Sequence, residues 1–266
     1  MEPILNIALT AARQAGDIIT RSLYRLDTVT VSIKKERNDF VSEVDIKAEQ
    51  AIINTLEKSY PTYNFIAEES GNIDNDSECT WIIDPLDGTN NYLHGFPHFC
   101  ISIALQINQH IEYGLIYDPI RDEVFTASRG RGAHMNNKRL RVSKQHALEH
   151  ALIGTGFPLR TEAVFEPYFA TLHTLYQHCL GVRRAGSAAL DLAYVAAARL
   201  EGSWHYGLNI WDIAAGSLLI REAGGLITDF NGDEQYLTQG NIITGNPKIL
   251  KQLLPKIQSN FKSLLT

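Results

Sequence analysis

The residues best suited to chemistry lie in one short stretch, Trp81-Ile-Ile-Asp-Pro-Leu-Asp-Gly-Thr89. An apolar run ends at Asp84, and Pro85 and Gly88 then break regular structure around the second acid, Asp87. This order predicts a strand that presents two carboxylates and a turn of backbone N–H groups at its carboxyl end. Such a place would suit a hard cation such as magnesium or calcium beside a phosphate at a helix start. The alternative is an ordinary turn with Asp84 as a helix cap.

Acidic residues mark three more points where the sequence predicts the end of a strand or the start of a helix. Asp45 lies at the start of the second predicted helix, Glu68 follows a short predicted strand, and Asp212 begins a later helix. Together with the two acids at 84 and 87, they would supply the oxygen ligands of a metal site. Spacing along the chain does not establish that they converge, and four separate caps remain the alternative.

Hydrophobic periodicity predicts the elements that must position these acids. Two amphipathic helices, over residues 4–19 and 44–56, are separated by a basic and polar loop at residues 34–39. Alternating apolar residues between 64 and 142 predict a largely antiparallel sheet. Strands alternate with helices after residue 150, which is typical of α/β organisation. The helices predicted there cover about 162–178, 188–200, 211–224 and 246–257.

Composition narrows the class of protein. The chain has 266 residues, of which 44% are hydrophobic and 20% charged, as in a globular protein with a sizeable core. A net charge of -6 argues against a nucleic-acid surface. Three cysteines without a CxxC pair fit free thiols in a reducing cytosol. The first residues lack a secretory signal and no apolar run approaches the roughly 20 residues of a membrane span, so we expect a cytoplasmic protein.

Three motifs in register resemble the inositol monophosphatase family. They are Glu68-Glu-Ser70, the stretch from Trp81 to Thr89, and Trp211-Asp-Ile-Ala-Ala-Gly216 followed by Glu222-Ala-Gly-Gly225. Their order and separations match that family over essentially the whole chain, whereas Asp-Gly-Thr alone would be a weak signal. Further stretches resemble a bacterial branch of the family: Asn38-Asp-Phe-Val-Ser42, Gly186-Ser-Ala-Ala-Leu-Asp-Leu-Ala-Tyr-Val195 and Gly240-Asn-Ile-Ile243.

The resemblance implies a role for each matching position. Two or three magnesium ions would be bound by five groups: the side chains of Glu68, Asp84, Asp87 and Asp212, and the carbonyl of Leu86. Asp45 and Thr89, together with Glu68, would hold and deprotonate the attacking water. The N–H groups of Gly88 and Thr89 would bind the phosphate. The substrate-binding set it implies is Asp87, Gly88, Thr89, Arg183, Gly186, Ser187, His205 and Asp212.

The same resemblance implies a mixed α/β fold layered α-β-α-β-α. We expect one domain over residues 1–266, with lobes of about 1–145 and 146–266, and a homodimer. The implied activity is hydrolysis of inositol 1-phosphate or a related polyol phosphate by direct attack of a metal-activated water, with inhibition by lithium. The bacterial branch is also associated with transcription antitermination complexes that contain RNA polymerase and NusA. An adaptor role with catalysis secondary is therefore a second hypothesis.

One position departs from the family pattern. Members that act on inositol usually carry a Glu seven residues before the Asp of the Trp-Asp motif, and here that position is His205. Preference for inositol is therefore open, and a phosphatase for other sugar or nucleotide phosphates remains an alternative function. For His205 itself, the alternative to a substrate contact is a plain strand residue at the rim of the site. A haloacid dehalogenase-type nucleophile is disfavoured, because Asp84 and Asp87 are one residue further apart than Asp-x-Asp requires.

Overall fold

The computed structural model describes residues 2–26, 29–33, 40–158 and 162–264. The loop predicted at residues 34–39, which includes the first two residues of the Asn38–Ser42 motif, lies outside the described residues. No helix within the described ranges is long and apolar enough to cross a membrane, and the three cysteines are free thiols. Eight α-helices occur in those ranges: α1 (Pro3–Leu23), α2 (Glu43–Ser59), α3 (Thr89–Leu93), α4 (Phe165–Tyr176), α5 (Ala188–Ala196), α6 (Ile210–Glu222), α7 (Tyr236–Gln239) and α8 (Pro247–Phe261).

Strands in the described part of the chain form three sheets. They are β1 (Val31–Ile33), β2 (Phe40–Ser42), β3 (Asn64–Ala67), β4 (Gly71–Ile73), β5 (Cys79–Asp87), β6 (Cys100–Ile107), β7 (His110–Asp118), β8 (Glu123–Ser128), β9 (Gly132–Met135), β10 (Lys138–Arg139), β11 (Leu152–Thr155), β12 (Gly181–Arg183), β13 (Gly202–His205), β14 (Leu226–Thr228) and β15 (Ile242–Gly245). The largest sheet has the order β10-β9-β8-β7-β6-β5-β3-β4, the second β12-β11-β13-β15-β14, and β1 pairs with β2. In the largest sheet the neighbours are antiparallel except β3 and β5, which confirms the largely antiparallel prediction for residues 64–142.

The two main sheets alternate with three layers of helices. Along β5, Ile83 faces the core under α1 and α2, whereas Ile82 faces the core around α5 and α6. Along β15, Ile242 faces that same middle layer and Ile243 faces α4 and α8 on the far side. Successive side chains of a strand point to opposite faces, so each sheet buries both of its faces. The predicted α-β-α-β-α layering is confirmed.

Helix α5 ends earlier than its apolar pattern indicates. We predicted a helix to Leu200, but α5 stops at Ala196, and Ala198 adopts a left-handed conformation with φ of 59°. The N–H groups of Arg199 and Leu200 both donate to the carbonyl of Tyr194, which closes the helix end. The chain must turn here to enter β13, and alanine-rich sequence gives no local signal for that turn. The division into two lobes near residue 145 stays a prediction.

Candidate active site

The two acids of the central stretch face the same side of the sheet because β5 contains a bulge. Asp84 pairs with Ser102 on β6 and Asp87 pairs with Cys100, so β5 has one more residue than β6 between these pairs. Residues three apart on a regular strand point to opposite faces, and one inserted residue restores them to the same face. We expected the strand to stop at Asp84; instead β5 continues through the bulge to Asp87. Both carboxylates therefore face the middle helix layer.

A third carboxylate reaches this place from a distant part of the chain. Ligand oxygens of Asp84, Asp87 and Asp212 all lie within 4.8 Å of one another. Asp212 occupies the third position of α6, where its Oδ2 accepts the N–H of Asn209 over 2.7 Å. This is the capping interaction that the alternative interpretation foresaw, and the same carboxylate also faces the cluster. Separate caps and a converging acidic site are thus both correct descriptions of Asp212.

Hydrogen bonds to neighbouring elements fix the other members of the cluster. Asp84 Oδ1 accepts the N–H of Leu86 over 3.0 Å inside the bulge. Asp87 Oδ2 accepts the hydroxyl of Ser187 over 2.6 Å and the N–H of Ala189 over 2.7 Å, both at the start of α5. Glu68 follows β3, which is parallel to β5, and lines the same pocket as Asp87. The cluster therefore combines acids from the largest sheet, at β5 and just after β3, with Asp212 of α6 and hydrogen-bond donors at the start of α5.

The close packing of these acids disfavours their charged forms. Burial is the main cause that raises the pKa of Asp212 to about 8, and the charges of Asp87 and Glu68 raise it further. Burial likewise raises the pKa of Asp87 to about 6, although hydrogen bonds from Ser187 and Ala189 oppose the shift. The pKa of Asp84 is raised well above its ordinary value by burial and by the charge of Glu68. A cation would remove this repulsion, and an all-oxygen donor set fits a hard ion such as magnesium.

Asp45 and Thr89 form a hydrogen-bonded pair beside the cluster. The hydroxyl of Thr89 lies 2.9 Å from Asp45 Oδ1 and 3.1 Å from the carbonyl of Leu86. The other oxygen of Asp45 accepts the N–H of Ser42 over 2.9 Å, in a capping box at the start of α2. Asp45 is fully buried, and burial raises its pKa. Ser42 is a positioning residue that we did not predict, although Ser-x-x-Asp before a helical pattern is its signature.

Two glycines beside the acidic cluster allow the backbone to approach neighbouring segments closely. Gly88 has φ of 102°, and a Cβ there would lie 3.0 Å from the carbonyl oxygen of His98. Gly186 has φ of 96°, and a Cβ there would lie 2.8 Å from Nδ2 of Asn91. That Nδ2 donates to the carbonyls of His98 and Ala185, so it ties the segment after β5 to the segment before α5. Both glycines are needed for conformation as well as for space.

A pocket of about 230 Å³ opens beside the cluster. Its lining contains most of the residues that we predicted for substrate binding: Asp87, Gly88, Thr89, Gly186, Ser187 and His205. Arg183 is not among the residues that line the pocket; its Nη1 donates to the carbonyl of Val182 over 3.2 Å. Arg184 lines the pocket in its place. Asn91, Gly156, Phe157 and Asp191 also line it and were not predicted.

His205 lies deeper than the rim position that we considered as an alternative. It is the last residue of β13, only 2% exposed, and its Nε2 is 3.6 Å from Oδ2 of Asp191 on α5. Burial lowers the pKa of His205 to about 4 and raises that of Asp191 well above its ordinary value. The pocket therefore contains a buried imidazole and a buried carboxyl group in addition to the acidic cluster.

Comparison with known proteins identifies the class to which this fold and site belong. A model of the inositol monophosphatase family matches residues 1–262, and the chain belongs to that family. Among known proteins it is similar to Nus factor SuhB of Pseudomonas aeruginosa, with 50% identity over 263 residues and 97% of each chain covered. The fold matches that of the extragenic suppressor protein suhB of Bartonella henselae, with a TM-score of 0.93, 44% identity, and coverage of 97% of this chain and 99% of that one. Thermotoga maritima IMPase matches with a TM-score of 0.89, 32% identity, and 98% of each chain covered.

Proposed function

We propose that the protein is a magnesium-dependent phosphatase that hydrolyses inositol 1-phosphate or a related polyol phosphate. One observation carries the proposal: Asp84, Asp87 and Asp212 converge within 4.8 Å, in a chain of the inositol monophosphatase family. In this proposal the metal ligands are these three carboxylates, Glu68 and the carbonyl of Leu86. Two or three ions would be held, because four carboxylates offer more oxygen atoms than one magnesium ion needs.

The residues beside the ligands have distinct roles in the proposed reaction. Magnesium, when bound, supplies positive charge that offsets the phosphate and lowers the pKa of the attacking water. Thr89 donates its hydroxyl proton to Asp45, so its oxygen lone pairs are free to accept a hydrogen bond from that water. Asp45 is held by Ser42 and acts as the proton acceptor of the pair. The N–H groups of Gly88 and Thr89 bind the phosphate, and Ser187, Gly186 and His205 surround the alcohol part.

The first test is release of phosphate from inositol 1-phosphate. Turnover should require magnesium, and removing it with EDTA should lower the rate by at least about a hundredfold, the scale of a lost metal catalyst. Lithium should inhibit the magnesium-loaded enzyme. A matched assay of glycerol 2-phosphate measures tolerance for other alcohols. Phosphate release that persists unchanged in EDTA would contradict the proposed metal mechanism.

A homodimer is part of the proposal, and exposed apolar residues on α4 support it. Phe165, Phe169 and Tyr176 lie on one face of this helix and are 41%, 54% and 75% exposed. Sedimentation velocity should give a mass near twice the 29.7 kDa of one chain. Phe169→Asp should shift the protein towards monomers, whereas Tyr24→Asp, at an exposed aromatic residue beyond α1, should not. A wild-type monomer at micromolar concentration would refute the dimer.

We propose a second role as a cytoplasmic transcription factor that binds antitermination complexes containing RNA polymerase and NusA. The full-length similarity to a protein named Nus factor SuhB favours this role. Asp87→Asn should lower phosphate release by at least about a hundredfold, because it removes a ligand charge. The same variant should bind RNA polymerase and NusA in pull-down assays as the wild type does. Asp17→Asn, at an exposed position on α1, is the matched control for both assays.

Two results of that comparison would change the proposal. If wild-type protein does not bind the transcription complex, the second role is refuted. If Asp87→Asn loses both turnover and binding while its thermal midpoint is unchanged, the two roles are not separable. In that case binding would depend on the charge or the metal at the active site.

A further inference from the structure

Glu68 differs from the other three acids of the site in where the backbone places it. Asp84 and Asp87 lie on β5 and Asp212 lies in the first turn of α6, so regular hydrogen bonding fixes their backbones. Glu68 instead begins a turn of three residues between β3 and β4. A ligand must be held within about 0.5 Å of its productive position, and residues on turns are held less precisely than those on strands or helices. This turn therefore needs support from elsewhere in the fold.

A buried carboxylate on α2 supplies that support. Glu49 Oε2 accepts the N–H of Glu69 over 2.8 Å, and its Oε1 accepts the N–H of Ser70 over 2.8 Å. Glu49 is only 3% exposed. Burying a carboxylate is costly unless hydrogen bonds satisfy it, and hydrogen bonds to a charged acceptor are roughly twice as strong as those between neutral groups. The two bonds therefore hold the turn firmly against α2.

The hairpin of β3 and β4 has other contacts that close it. Ala67 pairs with Gly71 across the turn, and Gly71 has φ of 77°, a left-handed conformation that glycine adopts at little cost. The N–H of Glu68 donates to the carbonyl of Ile83 on β5 over 3.2 Å. These contacts hold the two ends of the turn, whereas the contacts with Glu49 determine how the turn lies relative to α2. The carboxylate of Glu49 thus orients the turn rather than closing it.

Helix α2 also carries the acid of the hydrogen-bonded pair beside the cluster. Asp45 and Glu49 are four residues apart, so their side chains extend from the same face of α2, one turn apart. Asp45 contacts Thr89 just after β5, and Glu49 contacts the turn just after β3. Since β3 and β5 are parallel neighbours, both contacts lie at the same end of the sheet. One helix therefore connects the Asp45–Thr89 pair with the turn that carries Glu68.

We propose that Glu49 is a positioning residue for the metal ligand Glu68, and that α2 thereby fixes this ligand relative to the Asp45–Thr89 pair. The inference rests on the proposed magnesium-dependent phosphatase function and adds a residue to its site. In this role Glu49 touches neither the metal nor the substrate and acts through the backbone of the turn. Hydrogen-bond partners behind metal ligands typically contribute about ten- to a hundredfold in metal affinity.

The test measures the magnesium affinity of a Glu49→Gln variant. A glutamine has one acceptor oxygen, so its NH2 group would face the second N–H of the turn, donor against donor. The Kd of the tightest magnesium site, measured by isothermal titration calorimetry, should rise at least about tenfold. Glu222→Gln is the matched control, because Glu222 on α6 also accepts two backbone N–H groups, from Gly130 and Gly132, each over 2.7 Å. The control should lower the thermal midpoint and leave the magnesium Kd unchanged.

A double variant tests whether Glu49 acts only through Glu68. Glu68→Gln alone should weaken magnesium binding, because it removes a ligand charge. Adding Glu49→Gln to it should change the Kd by less than about twofold, since the ligand that Glu49 positions is already lost. Effects that multiply in the double variant would overturn the inference, and so would a wild-type Kd in Glu49→Gln.

A measurement on the wild-type protein keeps the test valid if the first variant does not fold. Magnesium bound by Glu68 should hold the turn closed, so amide hydrogen exchange at Glu69 and Ser70 should slow by at least about tenfold when magnesium is added. Exchange at Gly130 and Gly132 should change much less. Equal exchange at Glu69 and Ser70 with and without magnesium would overturn the inference, while magnesium-dependent phosphate release would leave the proposed function intact. No magnesium binding and no magnesium-dependent phosphate release by the wild type would overturn both.

Discussion

Replacing Thr89 by alanine is expected to lower kcat on inositol 1-phosphate by about a thousandfold, within the range typical of general-base catalysis. The hydroxyl of Thr89 lies 2.9 Å from Asp45 Oδ1 and donates to it, which leaves the oxygen lone pairs of Thr89 available to accept a hydrogen bond. In the proposed reaction that group is the attacking water, and alanine removes its acceptor. The metal ligands and the alcohol pocket are left in place, so KM should change much less than kcat. Steady-state phosphate release with saturating magnesium measures both constants.

Two controls separate this role from a structural one. Thr89→Ser keeps the hydroxyl and should recover most of the rate. Asp45→Asn should lower kcat to a similar extent, and the double variant should be little worse than either single one, because the pair acts as a unit. A Thr89→Ala enzyme with near wild-type kcat would refute the role of the pair. Loss of the magnesium-induced rise in thermal midpoint would instead assign Thr89 to the metal site.

The sequence predicts the chemistry of the cluster better than its geometry. The types and order of the acids, and their places next to strand ends and helix starts, can be inferred from local signals alone. The fact that Asp84 and Asp87 face the same side cannot be inferred in this way. Their spacing of three residues would place them on opposite faces of a regular strand. The bulge that brings them to the same face is defined by how β5 pairs with Ser102 and Cys100 on β6, and local sequence does not reveal this pairing.

The pocket lining was harder to predict than the acidic cluster for a similar reason. Asp191 lies among alanines and leucines of α5, where a single acid gives no sign that it faces a pocket. Arg183 and Arg184 are neighbours at the end of β12, and successive strand residues point to opposite sides. Which of the two reaches the pocket depends on how β12 pairs with β11. Family motifs identify the chemistry of a site, whereas such orientation depends on tertiary packing.

The second large effect expected is a loss of stability in the metal-free protein as the pH rises. Burial and mutual repulsion raise the pKa of Asp87 to about 6 and that of Asp212 to about 8. In the unfolded chain both acids titrate near pH 4. Between these values the folded protein binds more protons than the unfolded chain, so the free energy of unfolding decreases as pH increases. The stabilisation is fully present below about pH 4 and is lost as pH rises through 6 and 8.

Magnesium should cancel this trend, because it binds the deprotonated carboxylates of the folded state only. Between pH 5 and pH 8.5 the two pKa values correspond to about one pH unit for Asp87 and about three for Asp212, or about 5 kcal/mol in total. In EDTA the thermal midpoint should therefore fall by about 10 to 20 °C, since 1 kcal/mol corresponds to roughly 2 to 4 °C for a protein of this size. With magnesium in excess the fall should vanish. Asp212→Asn removes the acid with the higher of these two pKa values, so its midpoint in EDTA should depend less on pH. A wild-type midpoint that rises with pH in EDTA would show that these acids are not held close together without the metal. The acidic cluster would then be assembled by magnesium, and its three carboxylates would separate in the metal-free protein until their pKa values returned towards that of an exposed acid.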